Sequence, residues 1–121
     1  MTERPQLPRI QSVRPRPHHR LEIKWQHGET SIVDMRQTIA SGGVFDALRD
    51  YDFFATVRLG DRGRLLEWPD PLRKDQILAD YDADSLMRLA DQQAHLSTLE
   101  EFGRKIKAFR DRLIHRAGET A

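Results

Sequence analysis

The stretch from Gly42 to Pro69 reads GGVFDALRDYDFFATVRLGDRGRLLEWP, and the rest of the chain is arranged around it. Val44, Phe45 and Leu48 have the spacing of one helical turn, and Asp50 is placed to cap a second short turn. Residues 54–59 and 64–68 read as two antiparallel strands joined by the loop 60–63, before the proline ends the ladder. We expect five residues of this stretch to point into a core: Phe45, Leu48, Phe54, Val57 and Trp68.

The segment before this stretch carries the clearest strand pattern. Leu21, Ile23 and Trp25 alternate with polar residues, which is the period of a strand with one face on a core. Residues 26–29 supply a turn, residues 30–35 return as the hairpin partner, and residues 10–13 form a first strand. A short helix over residues 35–41 stops at Gly42-Gly43, where at least one glycine takes a positive φ.

The pattern after residue 69 predicts two helices. Residues 69–82 read as an irregular link, Asp82 or Asp84 caps a helix, and residues 93–96 break it. Ser97 and Glu100 stand at capping-box spacing and begin a final helix that runs to about residue 116. The predicted fold class is α+β: a small curled antiparallel sheet of about four to five strands, short helices and a C-terminal helix pair. The predicted segments are a flexible arm (1–9), a sheet domain (10–82), the helical pair (83–116) and a disordered tail (117–121).

The composition of the chain limits the classes of protein to which it can belong. A chain of 121 residues with 38% hydrophobic and 32% charged residues is typical of one soluble globular domain. No segment approaches the roughly 20 apolar residues of a membrane span, and the N-terminus lacks the apolar region of a signal peptide. We therefore expect a cytoplasmic protein without membrane contact. The absence of cysteine excludes disulfides, thiolate zinc sites and cysteine nucleophiles.

The net charge of +1 is divided unevenly along the chain. Residues 1–20 hold five arginines against one acid, residues 21–100 carry an excess of acids, and residues 101–121 hold six bases against three acids. Basic ends around an acidic centre fit an anionic partner, and they fit equally well ends that fold back onto the body. The candidates for contact with nucleic acid or another anion are Arg14, Arg16, Arg20, Lys105, Arg112 and Arg116.

Three patterns resemble ligand sites and are better explained otherwise. The carboxylates of residues 80–84 imitate the opening of a calcium loop, but Ser85 stands where the sharp turn requires glycine, so helix capping explains them better. Gly42-Gly43 lacks the preceding strand and the following full helix of a phosphate loop. The five histidines scatter without metal-ligand spacing, and we expect them to face solvent. With no reaction motif, we predict no catalytic residue, no cofactor, no metal and no enzymatic activity.

The final predicted helix carries the most informative pattern. Its apolar residues recur at alternating spacings of three and four, as in a coiled coil, and fall within an arc of about 80°. We call them the seam: Leu99, Phe102, Ile106, Phe109 and Leu113. Lys105, Arg112 and Arg116 flank the seam on one side, and Arg110 flanks it on the other. Such a stripe either covers the protein's own core or pairs with another helix, from a second copy or from a different protein.

One ordered set of residues resembles a known family: Leu21-x-Ile23-x-Trp25, Gly28, Val33-Asp34, Val44-Phe45-x-x-Leu48-Arg49-Asp50, Phe54, Val57 and Glu67-Trp68-Pro69. Over about residues 10–90 the chain resembles the bacterial family called domain of unknown function 2442. The resemblance implies a small α+β fold with a curled antiparallel sheet and short helices; no catalytic residues are established for the family, so none are carried over to this chain. It also implies a protein that some genomes fuse to a helix-turn-helix domain and others encode beside a small partner in toxin–antitoxin-like pairs. The long link from residue 69 to 82 and the helix after residue 96 depart from the family pattern.

Two functions follow as hypotheses. The leading one is a non-enzymatic protein–protein interaction module, antitoxin-like or homodimeric through its C-terminal helix. The alternative is a nucleic-acid-associated regulator that uses its basic termini.

Overall fold

A computed structural model describes residues 7–119, and the side chains of residues 7–113. The elements in chain order are β1 (Ile10–Arg16), β2 (Arg20–Trp25), β3 (Thr30–Asp34), α1 (Arg36–Ala40), a 3₁₀ helix (Gly43–Arg49), α2 (Tyr51–Phe54), β4 (Arg58–Gly60), a 3₁₀ turn (Asp61–Gly63), β5 (Leu65–Pro69), β6 (Ile77–Asp82) and α3 (Ala83–Glu119). The chain divides into two compact units, residues 1–90 and residues 91–121. Antiparallel strands, short helices and a long C-terminal helix confirm the predicted α+β class.

The first sheet has the order β1-β2-β3, with both pairs antiparallel. Leu21, Ile23 and Trp25 point inward as predicted, and the Trp25 indole Nε1 donates a hydrogen bond to Ser31 Oγ at 2.9 Å. Strand β1 is longer than the predicted 10–13, because it continues through Pro15 to Arg16. A proline fits there because β1 is an edge strand, where a missing N–H need not break a ladder.

The turn between β1 and β2 places His18 and His19 at positive φ, 64° and 55°. The ring of His19 packs on Tyr51 and Phe54, with centroid distances of 5.4 and 5.0 Å, and its Nε2 atom lies 3.1 Å from the Arg49 carbonyl oxygen. The expectation that all histidines face solvent was therefore wrong for His19. This side chain instead attaches the turn to the segment that contains α2.

A second three-stranded sheet, in the order β4-β5-β6, corrects the prediction of one sheet with four to five strands. The predicted irregular link 69–82 contains the whole of β6, which pairs with β5 from Leu65↔Asp82 to Pro69↔Ile77. The predicted strand 54–59 is shortened to β4, because Asp50 accepts a hydrogen bond from the Asp52 N–H at 3.0 Å and caps α2. The chain therefore remains helical through Phe54.

The core lies within the first unit and includes residues from both sheets, α1, α2, the 3₁₀ helix and the first turns of α3. The Trp68 indole Nε1 donates to the Phe54 carbonyl oxygen at 2.9 Å, which satisfies a buried donor. Leu48, Phe54 and Trp68 are fully buried, and Phe45 and Val57 are partly buried against the core cluster, as predicted. The buried apolar side chains are Ile10, Leu21, Ile23, Trp25, Val33, Met35, Ile39, Leu48, Phe54, Leu66, Trp68, Ala79, Ala83, Leu86 and Ala90.

Helix α3 replaces the predicted pair of helices. It runs without interruption through residues 93–96, and the Ser97–Glu100 capping box does not begin a new helix. None of residues 93–96 is glycine or proline, and Thr98 Oγ1 donates to the Ala94 carbonyl oxygen at 3.0 Å within the helix. Polar residues alone therefore do not end a helix whose backbone bonds can continue.

The glycine and terminal predictions have mixed outcomes. Gly42 and Gly43 both take positive φ, 83° and 67°, and they follow α1 as expected. Residues 8 and 9 of the predicted arm are bound to the body, because the Pro8 carbonyl accepts a hydrogen bond from Arg64 and the Arg9 carbonyl accepts one from the Gln26 N–H at 2.9 Å. Residues 1–6 and 120–121 lie outside the described residues. Residues 117–119 of the predicted tail are helical.

Candidate protein-binding helix face

The start of α3 is fixed to the first unit by polar contacts. Asp82 Oδ2 accepts a hydrogen bond from the Ser85 N–H at 2.9 Å, which confirms Asp82 as the cap. This backbone hydrogen bond is the main reason that the pKa of Asp82 is lowered. The Ala83 N–H donates to the Arg64 carbonyl oxygen at 2.8 Å, and the Arg64 guanidinium forms an ion pair with Asp84. The carboxylates of residues 80–84 thus end a strand and begin a helix rather than form a calcium loop.

The core uses only the first turns of α3. Leu86 is fully buried and Ala90 is 8% exposed, whereas no residue of α3 after Ala90 belongs to the described core. The seam lies in the second unit, residues 91–121, whose described residues are helical throughout. The two parts of α3 therefore carry different apolar faces.

All five seam side chains are exposed to solvent, between 43% for Ile106 and 60% for Phe102. None of the five seam residues belongs to the buried cluster that forms the core of the first unit. Heptad positions describe the face: Leu99, Ile106 and Leu113 occupy position a, and Phe102 and Phe109 occupy position d. The 14 helical steps from Leu99 to Leu113, at about 1.5 Å each, make the seam about 21 Å long.

The positions beside the seam are basic. In the same heptads, Lys105 and Arg112 occupy position g, and Arg110 occupies position e. The acids of this helix segment lie on the side of the helix away from the seam: Glu100 and Glu101 occupy positions b and c, and Asp111 occupies position f. Lys105 Nζ lies 3.6 Å from Glu101 Oε1, an exposed ion pair of the kind that contributes little to stability. Arg116 was the fourth predicted flanking base, and its side chain lies outside the described residues.

The sequence interpretation missed Leu96. It is 57% exposed and occupies position e, three residues before Leu99. A break was predicted over residues 93–96, and that error removed Leu96 from the helix. The signal that identifies it is its helical spacing to Leu99, which places both side chains on neighbouring parts of one surface.

The predicted anion-binding residues are divided between the two units. Arg14 pairs with Glu22 across β1 and β2, and Arg16 pairs with Arg20, so the three arginines share the outer face of the first sheet. Glu22 lies on the same face, where its Oε1 atom is 3.8 Å from Arg16 Nη2. Lys105 and Arg112 belong to the second unit.

A second acid lies on the outer face of the first sheet. Asp34 is opposite Arg20 in the register of β2 and β3, and its Oδ2 atom is 2.6 Å from Arg36 Nη2. The side-chain hydrogen bond from Arg36 is the main reason that the pKa of Asp34 is lowered. Glu22 and Asp34 therefore partly neutralise the positive charge of the three arginines on this face.

The described residues do not bring metal-binding side chains together. They contain no group of three or more His, Asp or Glu side chains that could hold a metal ion. Burial is the main reason that the pKa of Tyr81 is raised, and its ring packs on Phe45 with a centroid distance of 5.7 Å. Within residues 7–119, no helix combines the length and the apolar composition needed to cross a bilayer.

Comparison with known proteins identifies the sheet domain. A family model described as "Protein of unknown function (DUF2442)" matches residues 10–92, which is more than half of the chain and confirms the resemblance noted above. Searches among curated proteins and among solved structures gave no match. The matched residues include both sheets and the start of α3, while the seam lies C-terminal to them. The chain therefore belongs to the family of proteins of unknown function DUF2442.

Proposed function

We propose that the protein is a non-enzymatic protein–protein interaction module whose seam binds a helix of another protein. The observation that supports this function is the exposure of five large apolar side chains in one narrow stripe. Isolated surface apolar residues need no explanation, but a contiguous row of them is typical of an interaction site. The alternating spacings of three and four fit a partner that is itself a helix.

Helix stability supports the same proposal. Most helical stability in proteins comes from tertiary packing of an apolar face rather than from the intrinsic propensity of the residues. Gly103 lies inside the seam region, and a glycine in a helix interior costs roughly 0.5–1 kcal/mol relative to alanine. A partner helix that covers the seam would supply the missing packing.

Family membership suggests one class of partner protein but does not identify the partner. The resemblance implies that some family members are encoded beside a small protein in toxin–antitoxin-like pairs. A small protein of that kind is one class of partner for the seam. The seam lies beyond the matched residues 10–92, so binding through the seam is a property that this chain adds to the family domain. The sheet domain would then act as the folded body that carries the binding helix.

A pair of matched variants tests the proposal. Ile106→Asp places a charge in the seam, and Ala108→Asp places the same charge at position c on the opposite side of the same helix. The tagged protein is used to recover partners from its native cells, and each recovered protein is then purified and its affinity measured by calorimetry. We expect a purified partner that binds the wild-type and Ala108→Asp proteins and loses at least tenfold in affinity for Ile106→Asp.

Stability measurements separate binding from folding. Because Ile106 is exposed, Ile106→Asp should unfold at nearly the same urea concentration as Ala108→Asp. A partner that binds both variants equally would place its site elsewhere and overturn the proposal. So would the recovery of no protein that binds the purified chain.

The outer face of the first sheet favours a second candidate, nucleic-acid binding. The strand register brings Arg14, Arg16, Arg20 and Lys24 to this face, and phosphate contacts from such bases weaken steeply with salt. The test is retardation of duplex and single-stranded DNA and RNA at 50 mM salt, with Arg14→Gln/Arg16→Gln as the variant and Arg73→Gln/Lys74→Gln as a control. Equal binding by variant and control, or no retardation, would exclude this candidate.

A further inference from the structure

We infer that the partner of the seam is an amphipathic helix with acidic residues beside its apolar stripe, and not a second copy of this chain. The inference rests on the proposed function, since it names the chemistry of the helix that the seam would bind. The relationship that carries it is the uniform sign of the charges at positions e and g.

Self-pairing in parallel brings like charges together. In a parallel pair, position g of one helix faces position e of the next heptad on its partner, so Lys105 would face Arg110 of the second copy. The symmetry of a homodimer repeats this contact on the other side. Like charges facing each other across such an interface oppose association.

Antiparallel self-pairing does not bring opposite charges together either. In that arrangement position g faces position g and position e faces position e, so Lys105 and Arg112 meet each other or Thr98. On the other side, Arg110 meets its own copy, Gly103 or Leu96. The e and g positions from 96 to 112 hold no acid, so no ion pair forms at these positions in the registers that overlap the two seams; Asp91, at the preceding g position, meets Arg112 only in a register that moves most of the two seams out of contact.

An acidic partner fits the same face in either orientation. Glutamate or aspartate at its e and g positions would face Lys105, Arg110 and Arg112, and opposite charges at these positions set partner choice and orientation in coiled coils. The acids of α3 itself, Glu100, Glu101 and Asp111, lie at b, c and f and are turned away from the interface.

A basic amphipathic helix also resembles one that lies on an anionic membrane surface. Two features favour a helical partner. The seam spans only about 80°, narrower than the apolar face of about 100° or more that is usual for a helix on an extended apolar surface. The acids on the outer positions of α3 would be repelled by anionic lipid.

The test uses the whole protein and two designed peptides of three heptads. Both peptides carry the same leucine and isoleucine residues at a and d; one has glutamate and the other has lysine at every e and g position. Affinities are measured by fluorescence anisotropy at 50 and 500 mM salt. We expect the glutamate peptide to bind at least tenfold more tightly at 50 mM, and the difference to shrink at 500 mM as the charges are screened.

Charge reversal in the protein supplies the matched control. Arg110→Glu/Arg112→Glu should abolish or invert the preference between the two peptides. Arg104→Glu/Lys107→Glu changes the net charge by the same amount at positions f and b and should leave the preference in place. If the control variant inverts the preference as strongly, net charge rather than facing position decides binding, and the inference is overturned.

The remaining outcomes separate the inference from the function it rests on. Equal, salt-independent binding of both peptides would overturn the acidic-partner inference and leave helix binding intact. A homodimer in light scattering that Phe109→Asp dissociates would show that a second copy covers the seam, and would overturn the inference. Binding to neither peptide, together with binding to phosphatidylserine vesicles, would overturn both in favour of a membrane surface.

Discussion

Arg64 Nη2 lies 3.0 Å from Asp84 Oδ2, and this ion pair joins the residue before β5 to the first turn of α3. The Arg64 side chain is 19% exposed and that of Asp84 is 39% exposed, so the pair is partly shielded from water. The same guanidinium donates to the Pro8 carbonyl, and the Arg64 carbonyl accepts from the Ala83 N–H. One residue thus holds together the N-terminal segment, the second sheet and the beginning of the helix.

Arg64→Ala is expected to lower the free energy of unfolding by about 1–3 kcal/mol, because it leaves two polar partners without a donor. Asp84→Ala should cost less than about 1 kcal/mol, and a double-mutant cycle should give a coupling of about 0.5–1 kcal/mol. Urea unfolding measures all three values. Arg73→Ala, at an exposed loop position, is the control and should stay within about 0.5 kcal/mol of wild type.

Trp68→Ala is expected to cost about 3–5 kcal/mol, since the side chain is fully buried in the core. Trp68→Phe should cost less, because it keeps most of the apolar volume and loses the hydrogen bond to the Phe54 carbonyl. Thermal and urea unfolding give the order of the two variants. A Trp68→Ala protein with wild-type stability would contradict the position of this residue in the core.

The hydrogen bond at the start of α3 predicts a pH dependence. The lowered pKa of Asp82 means that the folded state favours the ionised carboxylate. Its contribution to stability is therefore complete above the unfolded carboxyl pKa of about 3.9, and it is lost as the pH falls through the lower value of the folded state. Asp82→Ser keeps an oxygen that can cap the helix and removes the titration.

The measurement is the free energy of unfolding of both proteins from pH 2 to pH 7. The advantage of wild type over Asp82→Ser should be constant near neutral pH and should decrease below about pH 4. A difference that stays constant down to pH 2 would contradict the assignment of the capping carboxylate.

Alanine substitutions at two glycines with positive φ distinguish the cost of backbone strain from the cost of a steric clash. At Gly63, with φ of 86°, an added Cβ would clash with the Ile10 carbonyl oxygen, whereas at Gly43, with φ of 67°, it would meet nothing within 4 Å. Gly43→Ala should cost about 1–2 kcal/mol from the left-handed backbone alone. Gly63→Ala should cost about 1–3 kcal/mol more, because β1 must move. Equal losses in urea unfolding would argue against the close approach of the turn to β1.

Local patterns in the sequence predict the pieces whose causes are local. The alternation of Leu21, Ile23 and Trp25 identifies β2, and the paired glycines at 42 and 43 identify the end of α1. The side chains of Asp50 and Asp82 cap the helices that follow them. In each case the deciding interaction spans only a few residues, so the sequence contains all of it.

The seam shows which part of the candidate site depends on tertiary structure. The spacing of Leu99, Phe102 and Ile106 predicts an apolar helix face, but spacing is the same whether that face is covered or exposed. Only the structure shows that these side chains are exposed, because burial depends on contacts between residues far apart in the chain.

Long-range pairing also decided what the sequence left undetermined. Residues 77–82 have no strong strand pattern of their own, and they become β6 because β5 presents a free edge for them to pair with. The division into two sheets has the same origin. The sequence by itself determined the turns, caps and inward faces through local geometry, while the pairing of β6 with β5 and the division into two sheets were decided by contacts between residues far apart in the chain, which no local pattern encodes.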